Sequence, residues 1–432
     1  MSNLERAYRT LVADPSSAQR DDSVLKQDEP RNFFLFVGSH FLTKLGDALS
    51  NPKTTLTWLA GSLGVAGWMT ALLVPLRESG SMLVQIGLAG VVERFRHRKW
   101  VWSLGALLQA ASMFGMAAVA LWLRGYAAGI ALLALLTVFA LSRSLSSVAS
   151  KDVLGRTLPK SRRGRANGWS ASAAGIATLC IGAVVVGFGP GTLSSDGYAA
   201  VLAGAGLLWI IGAGLFALVR EPGAKHGATD TDTRLRMLFR DRRLRRFVVA
   251  RALLMCTALS APYYVMLAQR HGGETPRLLA VFIAVEGVAA MLGGPLWGKL
   301  ADRSSRHVML IGGLSAAALG ATLAVLVTLD TGMLGLFWFM PLMYFLLSLA
   351  HQAVRIGRKT YVVDMADDDT RTDYVAVSNS VIGILLLIVG GTVAALSAWS
   401  ITAALTLLTL MGGCGALLCR RLPAVSDDET CT

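Results

Sequence analysis

Long apolar blocks separated by short polar segments fill this chain from about residue 33 onwards. Twelve can be marked, at 33–51, 66–92, 100–123, 127–150, 167–188, 199–219, 248–268, 278–300, 307–328, 333–356, 376–396 and 398–419. At about 1.5 Å of rise per residue, blocks of this size cross a hydrocarbon core about 30 Å thick. No water is available there to satisfy an open backbone, so each block has to close its hydrogen bonds internally as a helix. The pattern predicts an all-α polytopic membrane protein with twelve transmembrane helices.

The second six blocks repeat the first six, polar positions included. Asp47-Ala48-Leu49-Ser50-Asn51-Pro52 returns as Thr257-Ala258-Leu259-Ser260-Ala261-Pro262, a shift of about 210 residues. Glu78 aligns with Glu286, Glu93-Arg94 with Asp302-Arg303, Arg143 with His351, and Lys151 with Lys359 at nearly the same offset. A parallel duplication of this kind predicts two pseudo-symmetric six-helix bundles with the working site between them. On this plan residues 1–31 form a disordered cytoplasmic tail, 32–219 the first bundle, 220–247 a central loop, 248–420 the second bundle and 421–432 a final tail.

Composition agrees with the pattern. Hydrophobic residues make up 54% of the chain and charged ones 16%, where soluble domains carry about 25% charged. The formal charge of +14 would by itself fit a nucleic-acid surface. Its placement argues otherwise. With the N-terminus inside, the inner connections carry Arg94, Arg96, Arg98 and Lys99, then Lys160, Arg162, Arg163 and Arg165, then the basic block 234–246. The outer ones carry little beyond Lys53, Arg124, Arg270 and Arg277. That bias puts both termini in the cytoplasm, predicts an inner cell membrane, and removes nucleic acid from the expected partners.

Several smaller features fit the same picture. The polar start of the chain has no apolar segment of signal-peptide type. Cys180, Cys256, Cys414, Cys419 and Cys431 have no paired spacing, so neither disulfides nor a metal are expected. Trp58, Trp100, Trp102, Trp122, Trp209, Trp297 and Trp399 fall near predicted helix ends, as in an interfacial belt. Within the basic block 234–246, bases alternate with Leu235, Met237, Leu238, Phe239 and Leu244, which predicts an amphipathic helix on the inner leaflet. Pro52, Pro75, Pro262, Pro295 and Pro341 lie inside or at the ends of spans and are expected to kink them.

The connection between spans eight and nine reads Gly298-Lys299-Leu300-Ala301-Asp302-Arg303-Ser304-Ser305-Arg306-His307. It resembles the G-x-L-a-D-R-x-G-R-R loop signature of the major facilitator superfamily, with Ser305 in place of the second glycine. Its counterpart between spans two and three, Gly90 to Lys99, keeps the acid–arginine pair Glu93-Arg94 but loses the glycine spacing. The loop from Pro159 to Gly168 is also similar to that superfamily, and with the duplication the resemblance covers roughly 32–420. It implies alternating access by two rocking bundles, with spans one, four, seven and ten lining a central cavity. It also implies a cytoplasmic gate at Glu93, Arg94, Asp302, Arg303 and Arg306, and an Arg143 similar to the superfamily's helix-four arginine. Two departures matter. The glycine–proline run of drug–proton antiporters is missing from span five, and no sugar-porter signature is present.

Ionisable residues deep inside spans carry the most specific information. Lys44 and Asp47 are three apart on one face of span one, roughly 18 and 22 Å from its inner edge. Glu78 on span two and Glu286 on span eight lie at about 21 Å, with Arg77 slightly deeper. A charge at that depth costs at least about 2.5–3.5 kcal/mol unless it is paired or faces water. Two readings stay open: Lys44–Asp47 and Arg77–Glu78 as structural pairs, or acids that gain and lose protons during transport. Glu286 is the sharper proton-coupling candidate, because no base is near it along its own helix. His40, Arg143, Arg251, His351, Gln352 and Arg355 add cationic or polar groups to spans one, four, seven and ten.

No Walker loop, no His-Glu-x-x-His run and no soluble domain is present, so neither an enzyme nor a cofactor is expected. The expected function is secondary active transport of a small organic solute, coupled to protons, by a monomer among membrane lipids. Export of an apolar or amphipathic compound is slightly preferred over uptake of an organic anion, which Lys44, Arg77 and Arg143 would favour. A non-transporting receptor on the same fold is the reading from another class. The site residues are Lys44, Asp47, Arg77, Glu78, Arg143, Glu286 and His351.

Overall fold

The computed structural model describes residues 8, 28–83, 92, 95–188, 194–222, 241–273, 275–365 and 371–423. No strand occurs among them. The helices are α1 (Glu29–Leu49), α2 (Thr55–Ser62), α3 (Gly67–Leu83), α4 (Arg98–Trp122), α5 (Gly125–Thr157), α6 (Lys160–Phe188) and α7 (Ser195–Ala217) in the first half. The second half has α8 (Arg242–Leu253), α9 (Cys256–Leu259), α10 (Ala261–Gly272), α11 (Pro276–Thr328), α12 (Phe339–Met365), α13 (Arg371–Trp399) and α14 (Ile401–Cys419). Together they form the twelve expected spans. Spans one and seven are each broken, and spans eight and nine run together as α11 with extended backbone at Ser304 (φ −159°, ψ 98°).

The breaks in spans one and seven fall at repeat-related prolines, and their chemistry explains them. At the end of α1 both the N–H and the hydroxyl of Ser50 donate to Gly46 O, at 3.1 and 2.8 Å. Asn51 Oδ1 then accepts from the Lys53 N–H (2.9 Å), and Pro52 has no N–H with which to continue the helix. Thr57 Oγ1 donates to the Pro52 carbonyl (2.7 Å), which starts α2. Span one therefore continues to Ser62 instead of ending near residue 51. In the second half Pro262 occupies the first turn of α10, where a missing N–H is harmless. Pro75 and Pro295 lie inside α3 and α11, while Pro341 falls in the first turn of α12.

Nine stretches among the described residues are long and apolar enough to cross a membrane. The other three expected spans are the first, second and fifth. The first is interrupted at its proline, and the second and fifth are described only in part. Leu107, Ile130, Ile211, Leu292, Leu314 and Ile388 are exposed on the outer surface, as side chains facing lipid must be. The tryptophan belt holds only in part. Trp100, Trp122 and Trp399 are exposed, but Trp58, Trp102 and Trp209 are core residues, packed respectively near Phe282, Phe216 and Phe139.

Helix α8 begins at Arg242, capped by the Asp241 carboxylate, which accepts from the Arg243 N–H at 2.7 Å. The last bases of the expected amphipathic segment thus lead directly into span seven; residues 234–240 lie outside the described residues. Most of the expected N-terminal tail does too. Tyr8 is buried, however, and its hydroxyl donates to Glu29 Oε1 at 2.5 Å.

The halves meet along α3 against α13 and α6 against α11. Small residues permit the approach, as is usual between helices in lipid. A Cβ on Gly383 would lie 2.9 Å from the Leu83 nitrogen, and one on Gly390 would overlap the Pro75 ring. One on Gly287 would come within 3.1 Å of Leu179. At the end away from the termini, α2 and α10 close the gap. Gln269 Nε2 donates to the Trp58 carbonyl (3.1 Å), and both segments are buried along most of their length.

Candidate functional site: charges between the halves

One face of α1 carries His40, Lys44, Asp47 and, at its end, Asn51, spaced as helix neighbours. Asp47 is the centre of a triad. Its Oδ1 accepts from Arg77 Nη2 of α3 at 2.5 Å and its Oδ2 from Arg143 Nη1 of α5. Arg77 is buried, and its guanidinium also lies 4.5 Å from the Phe139 ring centroid. One carboxylate thus serves two arginines from two other helices. The sequence-based pairings are corrected here: Lys44 does not pair with Asp47, nor Arg77 with Glu78. In a helix the Asp47 side chain points towards neighbouring helices, where rigid guanidinium forks reach it better than an amine one turn away on α1.

Lys44 donates instead to Ser170 Oγ (2.7 Å) and to the Asn167 carbonyl (3.1 Å) on α6. The second half repeats the device. Arg251 on α8, also buried, donates to Ser378 Oγ (2.7 Å) and Asn379 Oδ1 (2.8 Å) on α13. In both halves a base from the part of a broken span before its break is held by neutral oxygens alone. His40 Nε2 lies 2.8 Å from Ser150 Oγ of α5, and its ring stacks on Phe36.

Two contacts join the halves at the break in span one. Asn51 Nδ2 donates to Glu286 Oε2 of α11 at 2.9 Å, and the Tyr344 hydroxyl of α12 donates to the same oxygen at 3.2 Å. Lys53 Nζ lies 3.2 Å from His351 Nε2 on α12. The sequence placed Lys53 in an outer connection. The break at Pro52 folds it inward instead, where His351 of the other half meets it. His351 Nδ1 is 3.0 Å from Thr257 Oγ1, which itself donates to the Leu254 carbonyl at 3.0 Å. With the Thr257 proton on the Leu254 carbonyl, Nδ1 carries a hydrogen and Nε2 accepts from Lys53. Two positive charges about 3.2 Å apart would repel by roughly 5 kcal/mol even at an effective dielectric near 20, so the imidazole of this arrangement is neutral.

Glu78 sits among bases, within Coulomb range of Lys53, Arg77, Arg358 and Arg355. Its carboxylate has no ion-pair or hydrogen-bond partner within bonding distance among the described residues. Of the expected gate residues, Glu93 and Arg94 lie outside the described residues, and so does the side chain of Asp302. Arg303 is exposed, and Arg306 Nη1 donates to the Leu422 carbonyl at 3.3 Å. Acid–base contacts at the termini end are built partly from residues the sequence reading had not singled out. Asp152 of α5 binds Arg98 of α4 and Arg156 on its own helix. Glu221 Oε2 accepts the Lys99 N–H at the start of α4 (2.9 Å), while Lys99 Nζ caps the carbonyls of Ala217 and Val219 at the end of α7.

Two six-helix halves, closed over a charged interior at one end, define the fold of a membrane transporter. The chain belongs to the Major Facilitator Superfamily, whose family model matches residues 36–389. No curated protein matches it by sequence. Among solved structures it is similar to a D-xylose–proton symporter (TM-score 0.69, 13% identity, covering 92% of this chain and 98% of that one). It is also similar to a POT family transporter in complex with 5-aminolevulinic acid (TM-score 0.70, 12% identity, 90% and 95%). A nucleoside transporter, NupG, gives a TM-score of 0.64 at 13% identity, covering 90% and 98%. At such identities the likeness is one of fold.

Proposed function

We propose that this chain is a proton-coupled secondary transporter that moves a small organic solute by alternating access. The observation that carries the reading is the pair of cross-half contacts at the break in span one, Asn51–Glu286 and Lys53–His351. Both need a deprotonated partner in the second half. A carboxylate at Glu286 accepts two neutral donors, and a neutral His351 accepts from Lys53. A proton on His351 turns its contact into like-charge repulsion, and a proton on Glu286 Oε2 displaces a donor. Proton uptake thus weakens the closed end, and proton release restores it. This is the differential stabilisation of two states that coupling requires.

Solute-driven proton movement in liposomes, followed with an internal pH dye, tests this. Glu286→Gln together with His351→Gln is expected to abolish proton movement while solute exchange down its own gradient continues. Unchanged proton flux in that variant refutes the coupling. Of the two solute classes the sequence leaves open, export of an apolar compound rests on the apolar spans, whereas uptake of an organic anion finds support in the bases between the halves. Proton entry alongside an anion would also lower the charge carried inward.

A further inference from the structure

On α12, His351, Arg355, Arg358 and Lys359 recur three to four residues apart and so share one face. On α5 the repeat-related positions are Arg143, Ser147, Ser150 and Lys151, and His40 holds Ser150 of that face against α1. These faces look at one another across the gap between the halves. Lys359 is within Coulomb range of Arg355, Arg358, Lys151 and Lys44, and Lys44 within that of Arg355 and Arg143. Lys151, Arg355 and Lys359 are nevertheless exposed, which means that the gap is open towards the termini.

Among the described residues the charge in this space does not balance. Asp47 is shared by Arg77 and Arg143, so that triad keeps a net positive charge. Lys44 is held by neutral oxygens. Arg355, Arg358, Lys151 and Lys359 make no ion pair among the described residues, and Glu78 is within Coulomb range of Arg355 and Arg358. Inner-leaflet topology would spread bases around the helix ends, towards lipid headgroups. Here bases from both halves converge on one space instead, and Arg143 reaches in to Asp47. Like charges brought together at a low dielectric are costly unless a counter-charge joins them. Arginine forks are suited to carboxylate and phosphate oxygens, two at a time.

We infer that the space between the halves binds a small organic anion with two or more carboxylate or phosphate charges, held by Lys44, Arg143 and Lys151 from one half and Arg355, Arg358 and Lys359 from the other. The inference rests on the transporter reading and names its substrate class. A single negative charge would leave most of the excess uncompensated, so a multivalent ligand is favoured over a monovalent one.

The test is titration calorimetry on the full chain in nanodiscs of phosphatidylcholine, with citrate and glycerol 3-phosphate as anionic probes and xylose and tetraphenylphosphonium as neutral and cationic ones. At least one anionic probe is expected to bind saturably, more weakly as salt rises. The Arg355→Gln/Arg358→Gln variant is expected to lose at least about tenfold in affinity, and Arg355→Lys to lose less. Loss of like-charge repulsion should leave the melting temperature of the unliganded double variant unchanged or raised, which separates lost binding from misfolding. Binding of xylose or tetraphenylphosphonium in place of both anions overturns the inference, and so does undiminished anion binding by the double variant. If phosphatidylglycerol in the nanodisc stabilises the protein and soluble anions do not, the cluster holds lipid headgroups and the inference also fails. Binding needs no proton gradient. Anion binding without proton flux would therefore refute only the coupling, and xylose-driven proton flux only the substrate class.

Discussion

Lys53 Nζ lies 3.2 Å from His351 Nε2, the first on the turn that breaks span one and the second in the middle of α12 in the opposite half. Only one of these two groups can hold a positive charge comfortably in this geometry, and with Thr257 donating to the Leu254 carbonyl the imidazole Nε2 is the acceptor. His351→Gln keeps an acceptor for Lys53 but cannot take up a proton. It is expected to bind solute as the wild type does while flattening the dependence of transport on pH. Lys53→Met removes the donor and should favour opening at every pH. Uptake rates measured from pH 5 to 8 in both variants check this pair of outcomes.

Asp47 supports two guanidiniums, one of them buried. Asp47→Asn leaves both without their counter-charge and is expected to cost about 3–5 kcal/mol, visible as a clear fall in melting temperature. Adding Arg143→Gln to Asp47→Asn should recover part of the loss, because one uncompensated cation is removed. A double-mutant cycle on thermal unfolding measures that coupling. Strict additivity would mean that the triad contributes nothing as a unit.

Gly390 and Gly391 are neighbours on α13 with opposite surroundings. A Cβ at Gly390 would overlap the Pro75 ring on α3, whereas one at Gly391 meets nothing within 4 Å. Gly390→Ala is therefore expected to destabilise by about 1–3 kcal/mol through overpacking between the halves. Gly391→Ala should be neutral or slightly stabilising. Thermal unfolding of the two variants side by side gives the answer.

The Tyr8 hydroxyl ties the chain's beginning to α1 through Glu29. Burial raises the pKa of this phenol well above its ordinary value, and its hydrogen bond to Glu29 and that residue's charge raise it further. Its contribution is accordingly present in full below about pH 10, the ordinary tyrosine value, and is lost only as pH rises through the higher folded value. Tyr8→Phe should speed hydrogen exchange in the first turn of α1 throughout the neutral range. Equal protection with and without the hydroxyl would refute a stabilising role for it.

Much of the fold was legible because its causes are local. Apolar length required helices, the basic bias marked one end of the spans, and the repeat of Pro52 at Pro262 marked positions where spans were expected to kink. The depth of Asp47, Glu78 and Glu286 also follows from counting residues. Partners were harder to read. Which base meets Asp47 depends on how α3 and α5 rotate about their axes, and apolar periodicity fixes rotation poorly in helices that face lipid on one side and other helices on the rest. Lys53 was missed because a run of apolar residues does not show where Pro52 turns the chain inward. The offset from Arg143 to His351 and from Lys151 to Lys359 was the available signal that α12 carries a working face.

The central claim, that protons control the closed end through Glu286 and His351, can be tested without knowing the solute. Spin labels on α2 and α10, at the end where Gln269 meets Trp58, report the gap by pulsed dipolar spectroscopy in protein cleared of its accessible native cysteines. The account predicts that lowering pH shifts the distance distribution towards a longer separation, and that the Glu286→Gln/His351→Gln double variant holds one distribution at every pH. A wild-type distance that ignores pH, or a double variant that responds as the wild type does, would contradict it.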